Sequence, residues 1–319
     1  MHLIPHFVWI IVIAIGLWFS AGTHPARALH IPDTTLATFQ EQSPAISDSF
    51  QAGVAAYQAG HFQDAVLAFS DMLKAHPLYL KAYGNRCLAY LQLAEYDRAI
   101  ADCTDALKLN AQDGSIPTSA NTELYLNRGL AYYRLAKYGQ AIADFDAILA
   151  TLPDYRAFYN RGLAKFALQQ YALAIADYDQ SIRHSPSLSI QRLATVYDDR
   201  AIAYLALQQA DKAIVDLTQA IALRPSDQRA FFNRACAHHQ QGEYLLALQD
   251  FQQVLALDPN HFQAQFNVGL IHRQLGHRQQ AYAFLKEAAM GFYENGEMVA
   301  FEAALEILQQ LQTDKSAIG

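Results

Sequence analysis

Cysteine is scarce in this chain of 319 residues, and its scarcity excludes several chemistries. Only Cys87, Cys103 and Cys236 occur, an odd number with no Cys-x-x-Cys pair. That leaves no disulfide framework of the small secreted kind and no zinc or iron–sulfur ligand set. Charge is thin too. Asp, Glu, Lys and Arg make up 17% of the residues, with no run of one sign, and the net charge is −7. A nucleic-acid footprint needs a basic stripe, so nucleic acid is excluded as a partner. His-Glu-x-x-His, Gly-x-Ser-x-Gly and a phosphate-cradling glycine loop are all missing. His238, His239 and His272 fall at apolar places and read as filler rather than metal ligands. Asp198 and Asp199 lie in an otherwise ordinary segment and do not read as a catalytic pair. No catalytic, cofactor-binding or metal-binding residue is therefore expected, and no cofactor or small-molecule substrate.

What is present is apolar: 52% of the residues are hydrophobic, enough for a folded chain rather than a disordered one. Phe7 to Phe19 is an uncharged, mostly apolar run, and Ala26-Arg27-Ala28 follows as a small-x-small pattern. Residues 1–28 read as a secretory signal peptide, although Met1 to His6 carries no Lys or Arg. The rival reading is an uncleaved membrane anchor, since residues 3–22 nearly reach spanning length. Either way the rest of the chain is expected outside the cytoplasm: in the periplasm, in the thylakoid lumen or secreted. Any contact with a membrane is expected only through residues 3–22. Residues 29–45, with two Pro and several Ser and Thr, read as a linker.

From there a ladder of alanines sets the plan: Ala65, Ala99, Ala141, Ala174, Ala213, Ala247 and Ala281, spaced by 34, 42, 33, 39, 34 and 34 residues. A self-similar unit of that length predicts stacked helical hairpins, not one closed core. In each unit a first helix carries a small residue, as at Gly129, Gly162, Ala201, Ala235 and Gly269. A short turn follows, then a second helix with the ladder Ala and a larger apolar residue four positions on, as at Phe69, Phe145, Tyr178 and Phe251. Small residues belong where the two helices cross, and the aromatics are expected to fill the wedge between one hairpin and the next. Pro77, Pro153, Pro186, Pro225 and Pro259 close units.

This pattern resembles the tetratricopeptide repeat, carried by the small residue at the crossing, the ladder Ala, the aromatic after it and the closing Pro. The resemblance implies an all-α fold, a right-handed superhelical solenoid of about seven helix-turn-helix units. The array spans 46–291, with units at 46–79, 80–113, 122–154, 155–187, 194–227, 228–261 and 262–291. A capping helix over 292–313 and a tail over 314–319 follow. Cys87 takes the crossing place of the second unit and Cys103 its aromatic place. They face each other in one hairpin, so a disulfide between them and a pair of small free core thiols are both open readings. Asn110 to Asn121 reads as a polar loop, and residues 187–193 as an insertion that lengthens the next first helix. The style of the repeats (AIADF, AIADY, YNRG) is similar to that of exported cyanobacterial and plastid members of the family.

The resemblance also implies that one face of the first helices lines a concave groove. Asn85, Asn127, Asn160, Asn233 and Asn267 form a row there, and an Asn offers both donor and acceptor to the main chain of an extended peptide. Lys81, Arg156 and Arg229 lie one turn earlier on the same face and suit carboxylates. Tyr133, Tyr159, Phe166 and Phe232, with Leu88, Leu126, Leu130 and Leu163, would add an apolar patch if exposed. Four of the Asn residues are followed by Arg, and Arg200 stands in the same place in the fifth unit. Asp102, Asp144, Asp177, Asp216 and Asp250 recur three residues after a ladder Ala. That favours Arg–Asp pairs tying one hairpin to the next. Some family members grip a chaperone's C-terminal carboxylate, but the Lys and Asn that open such a clamp are replaced here by Phe50 and Val54. The expected function is a non-enzymatic scaffold that binds a protein or an extended peptide and serves a larger complex. The alternative is a ligand sensor or enzyme accessory protein using the same face.

Overall fold

The computed structural model describes residues 44–113, 118–184 and 189–313. The signal or anchor segment, nearly all of the linker, and the tail lie outside them. Among the described residues there are fifteen helices and no strand. They divide into two compact units, one before residue 189 and one from it onward.

The first unit is built from four antiparallel helix pairs. These are α1 (Pro44–Gln58) with α2 (Phe62–Ala75), α3 (Leu80–Gln92) with α4 (Tyr96–Asp113), α5 (Thr118–Arg134) with α6 (Tyr138–Leu149), and α7 (Tyr155–Ala167) with α8 (Tyr171–Arg183). The second unit pairs α9 (Ile190–Ala206) with α10 (Ala210–Leu223), α11 (Gln228–Gln240) with α12 (Tyr244–Leu257), and α13 (Phe262–Gln274) with α14 (Arg278–Glu294). α15 (Met298–Thr313) closes it, burying Ala300, Ala304, Ile307 and Leu308 against α13 and α14. Every ladder Ala is fully buried. The helices are amphipathic: α2 buries Ala65, Val66, Phe69, Met72 and Leu73, the one-sided stripe of a 3.6-residue period.

The crossing logic holds, with one correction. A Cβ built on Gly129 would sit 2.7 Å from the Phe145 ring, and one on Gly162 would sit 2.7 Å from Tyr178. The aromatic after the ladder Ala therefore lies on the crossing glycine of its own hairpin, not only in the wedge beside the next. Leu217 and Leu285 take the same buried place where no aromatic is present. The turn inside each hairpin needs one residue in the left-handed region. Gly60, Gly242 and Gly276 supply it without strain, while Ala94, Ala136, Gln169 and Gln208 adopt it at φ between 56° and 60°. Backbone N–H groups then close the helix end, as Lys137 N donates to Tyr132 O at 2.9 Å and Gln170 N to Lys165 O at 2.9 Å.

Two expected boundaries move. The Asn110–Asn121 insertion is largely helical: α4 runs on to Asp113 and α5 begins at Thr118. Asn110 Nδ2 donates to Asn121 Oδ1 at 2.5 Å, so the two extensions lean on each other. Phe292 to Glu294 belong to α14, and the cap begins only at Met298. The second insertion does lengthen a first helix: α9 starts at Ile190, with Ser189 Oγ accepting from Arg192 N at 3.4 Å.

The first-helix face as a candidate binding site

The recurring Arg is structural, in a way the sequence half revealed. Arg86 Nε and Nη2 donate to Asp102 at 2.7 and 2.8 Å. Arg128 holds Asp144 at 2.9 and 2.6 Å, and Arg161 holds Asp177 at 2.9 and 2.6 Å. In the second unit Arg200–Asp216 and Arg234–Asp250 repeat the fork. Each is a bidentate pair inside one hairpin, not between hairpins as expected. The remaining Nη1 makes the link backward: Arg86 to Ser70 Oγ at 2.9 Å, Arg128 to Thr104 Oγ1 at 3.1 Å, Arg161 to Asp146 at 2.5 Å and Arg234 to Thr218 Oγ1 at 3.2 Å. One guanidinium thus ties its own hairpin and the preceding second helix, while lying over an aromatic ring one turn earlier, such as Tyr125 or Phe158. The Asp144 carboxylate raises the Arg128 pKa, while burial pushes Asp144 itself above the ordinary carboxylate range.

With the Arg fixed behind them, the Asn residues come to one face of the first helices. In the first unit α1, α3, α5 and α7 also approach one another directly, more closely than the second helices do. That makes the first-helix layer the inner one. Asn85, Asn127 and Asn160 are buried there, each about 4% exposed. Asn160 Nδ2 donates to the Arg156 carbonyl on its own helix at 2.8 Å. Tyr133, Tyr159 and Phe166 are half-buried, Tyr133 edge-on to Tyr138 and Phe166 edge-on to Tyr171. Lys81 is half-buried as well. In the second unit Asn267 is buried and bonded to the Gln263 carbonyl at 2.8 Å, and half-buried Asn233 donates to Asp198 Oδ1 at 2.8 Å.

Several expected contacts are already used by the chain itself. Arg156 does not wait for a guest's carboxylate: it holds Asp154 and Glu123, each at 2.8 Å. Burial works against its charge, but those two acids more than offset it and raise its pKa. Arg229 likewise reaches Asp198 at 2.7 Å and Asp199 at 2.5 Å. Asp198 has no exposed surface, and burial drives its pKa upward. Phe232 is core rather than lining, packed on Phe251 and stacked on His261 at 5.0 Å. Leu88, Leu126, Leu130 and Leu163 are buried too, so the apolar patch shrinks to the three half-buried aromatics. Further polar links lace neighbouring first helices, Gln92 to the Tyr57 hydroxyl at 2.9 Å and His239 to Gln274 at 3.1 Å, and Gln263 reaches Glu297 in the turn before the capping helix at 3.0 Å. The partners stand 34 or 35 residues apart, one repeat length, but no recurring residue type marks them in the sequence.

Cys87 and Cys103 are joined by a disulfide across α3 and α4, with Cα atoms 5.5 Å apart and both residues fully buried. Cys236 is buried and unbonded, and burial pushes its thiol up to about 12, so it stays protonated and inert. Among the described residues no group of His, Cys, Asp and Glu could hold a metal ion, and no helix is long and apolar enough to cross a membrane.

Paired helices, crossing glycines and an inner first-helix layer define an all-helical repeat array. The chain matches the tetratricopeptide repeat over 50–114, 126–189, 229–261 and 262–290, and a further TPR repeat description over 202–242. It belongs to the tetratricopeptide repeat family. Over 54 residues it is 39% identical to the mitochondrial import receptor subunit TOM34 of Homo sapiens, and equally to that of Pongo abelii. That stretch is 17% of this chain and 18% of each relative, so the chain spans under a fifth of the curated relatives it matches. Among solved structures it is similar to a tetratricopeptide repeat protein from Parabacteroides merdae, with TM-score 0.56 and 18% identity, covering 85% of this chain and all of that one. It is similar also to a chain of the APC/C hetero-tetramer Cut9-Hcn1, with TM-score 0.55 and 19% identity, covering 71% of this chain and 42% of that one. At these identities the likeness is one of fold.

Proposed function

We propose that this protein is a non-enzymatic scaffold that holds a protein or an extended peptide on its first-helix face and helps assemble or stabilise a larger complex. The observation that carries the reading is the collection of Asn85, Asn127 and Asn160 on one inner layer with half-buried Tyr133, Tyr159 and Phe166. Amides that can give and accept hydrogen bonds, set among rings that exclude water, suit a main chain in extended form. A polypeptide guest is also in keeping with the name of the curated relative, an import receptor subunit. We read the array as seven repeats over 46–291 with a capping helix behind them.

The setting we propose is outside the cytoplasm, with residues 1–28 as signal or anchor. Two features support it: the apolar run Phe7 to Phe19 and the buried Cys87–Cys103 bond, since disulfides persist in oxidising compartments. N-terminal sequencing of the mature protein tests this part; a chain that still starts at Met1 and is recovered from the cytoplasm would refute it.

The binding reading is tested by pull-down from an extract of the source cells. Wild type is compared with a variant carrying Tyr133→Ala, Tyr159→Ala and Phe166→Ala, with folding checked by circular dichroism. A specific protein recovered by wild type and lost by the folded variant is the expected result. Equal recovery would move binding to another face, and turnover of a substrate by the purified protein would overturn the non-enzymatic reading.

A further inference from the structure

The helix that caps a repeat array is expected to turn a polar face to water. The last two helices here do not. Tyr282, Met290 and Tyr293 share one side of α14 and are all exposed, Tyr293 by 61%. Met298, Phe301 and Leu305 recur at helical spacing along α15, Met298 exposed by 45% and Phe301 half-buried. Two contacts bring these stripes side by side. The Tyr293 and Phe301 rings lie 5.2 Å apart, and Gln312 Nε2 donates to the Tyr282 hydroxyl at 3.3 Å. The result is one apolar strip along two antiparallel helices. Acids border it. Glu287 and Glu294 stand three residues before and four after Met290. Glu302 stands four after Met298 and three before Leu305, and Glu306 follows one turn on. All four are exposed. Lys286 is the one Lys or Arg within 282–313.

We propose that this strip docks an amphipathic helix of a partner protein, apolar along one side and carrying Lys or Arg on its flanks. The site is separate from the first-helix face and does not rest on the reading given for it. Two antiparallel helices offer a third helix a ridged seam to pack on, and an apolar face laid into such a seam is a recurring mode of recognition. The strip runs from Tyr282 to Tyr293, on the order of 16 Å at 1.5 Å per residue, which matches three turns of a guest helix. The acidic border selects its charge. Long basic side chains can lie along the tyrosines and methionines while their heads reach the glutamates. A second copy of the same face would set these four Glu against their own kind, which opposes self-association. Residues 1–43 offer Arg27 as their one Lys or Arg, so that segment lacks the complementary charge.

The test pans a displayed library of 18-residue helices, with an apolar stripe and randomised flanks, against the immobilised full chain. Enriched helices are synthesised and titrated by fluorescence anisotropy, with folding of every variant checked by circular dichroism. Enrichment of Lys and Arg on the flanks is expected. Tyr293→Ser with Leu305→Ser, both at exposed positions, is expected to weaken binding at least tenfold. Glu294→Gln, Glu302→Gln and Glu306→Gln together are expected to weaken it about tenfold. Asp64→Asn, Asp71→Asn and Asp97→Asn remove as much charge from exposed places in the first unit and are expected to leave binding within twofold. The variant with Tyr133→Ala, Tyr159→Ala and Phe166→Ala is expected to bind these helices as wild type does, which keeps this test apart from that of the first-helix face. No enrichment, enrichment without basic flanks, or equal losses from the Glu and Asp variants would overturn the proposal. So would a wild-type dimer in light scattering that Tyr293→Ser with Leu305→Ser dissolves, since the strip would then belong to a second copy. Should the serine variant fail to fold, the isosteric glutamine variant still decides.

Discussion

Cys103 stands to Cys87 as Phe145 stands to Gly129: the second cysteine occupies the place of the packing aromatic and the first the place of the crossing glycine, sixteen residues earlier. In one hairpin a covalent bond replaces a ring laid on a bare backbone. Closing a loop of that length stabilises by roughly 2–3 kcal/mol. Reduction with dithiothreitol is expected to lower the denaturation midpoint accordingly. The double change Cys87→Gly with Cys103→Phe restores the neighbouring hairpin's pair, so that variant is expected to fold and to melt at the same temperature with or without reductant. Cys103→Phe alone crowds the crossing and is expected to cost about 1–3 kcal/mol. A wild-type midpoint indifferent to reductant would contradict this view of the bond.

Ala136 and Gln169 hold left-handed backbone in hairpin turns where other hairpins use glycine. Relief of that strain is worth roughly 1–2 kcal/mol for an L-residue, less what glycine loses in the unfolded chain. Ala136→Gly and Gln169→Gly are each expected to stabilise by about 0.5–1 kcal/mol in urea denaturation. Gly242→Ala, at φ +77°, is expected to destabilise by a similar amount. Destabilisation by both glycine replacements would show that these turns are not strained.

Arg128 and Asp144 are each largely buried, so breaking the pair is expected to cost more than removing it whole. Arg128→Met leaves a carboxylate buried without its partner and is expected to cost about 3–5 kcal/mol. Adding Asp144→Leu is expected to recover much of that loss. Equal stability of the single and double variants, measured by urea denaturation, would mean the pair does not govern hairpin packing.

The parts of this structure that the sequence displays are those set by fixed intervals along one hairpin. The ladder alanines, the crossing glycines, the five Arg and the five Asp all recur with the unit, and all are buried or half-buried where such recurrence requires. What stayed hidden depends on how one hairpin meets the next. Phe232 looked available until His261, from the start of the following hairpin, stacked on it. Arg156 and Arg229 looked like free cations until the preceding first helix brought Glu123 and Asp199 to them. The Asn110–Asn121 stretch looked like a loop because its residues are polar, yet its two ends extend helices already nucleated on either side.

His239 and His261 in the second unit both lie below their ordinary pKa of 6.5, chiefly because burial disfavours the charged ring. The unfolded chain therefore takes up protons first as pH falls. Their contribution is complete above about pH 6.5 and is lost as pH drops through that value toward the folded pKa. Burial of Asp198 acts with the opposite sign, favouring the folded state at lower pH. Between pH 7.5 and 5.5 the histidines are expected to dominate, so wild type loses stability on acidification. A variant with His239→Gln and His261→Asn is expected to lose less. Identical slopes in the two proteins would remove histidine from the explanation.

The claim that the first-helix layer receives the guest is tested most directly by placing a photo-crosslinking benzoylphenylalanine in the full chain and illuminating it in an extract of the source cells. One site replaces Tyr159 on α7; the other replaces Leu67 on α2, a second-helix residue 57% exposed. Discrete crosslinked polypeptides are expected from position 159 and none from position 67. Crosslinks from position 67 with none from 159 would contradict the account.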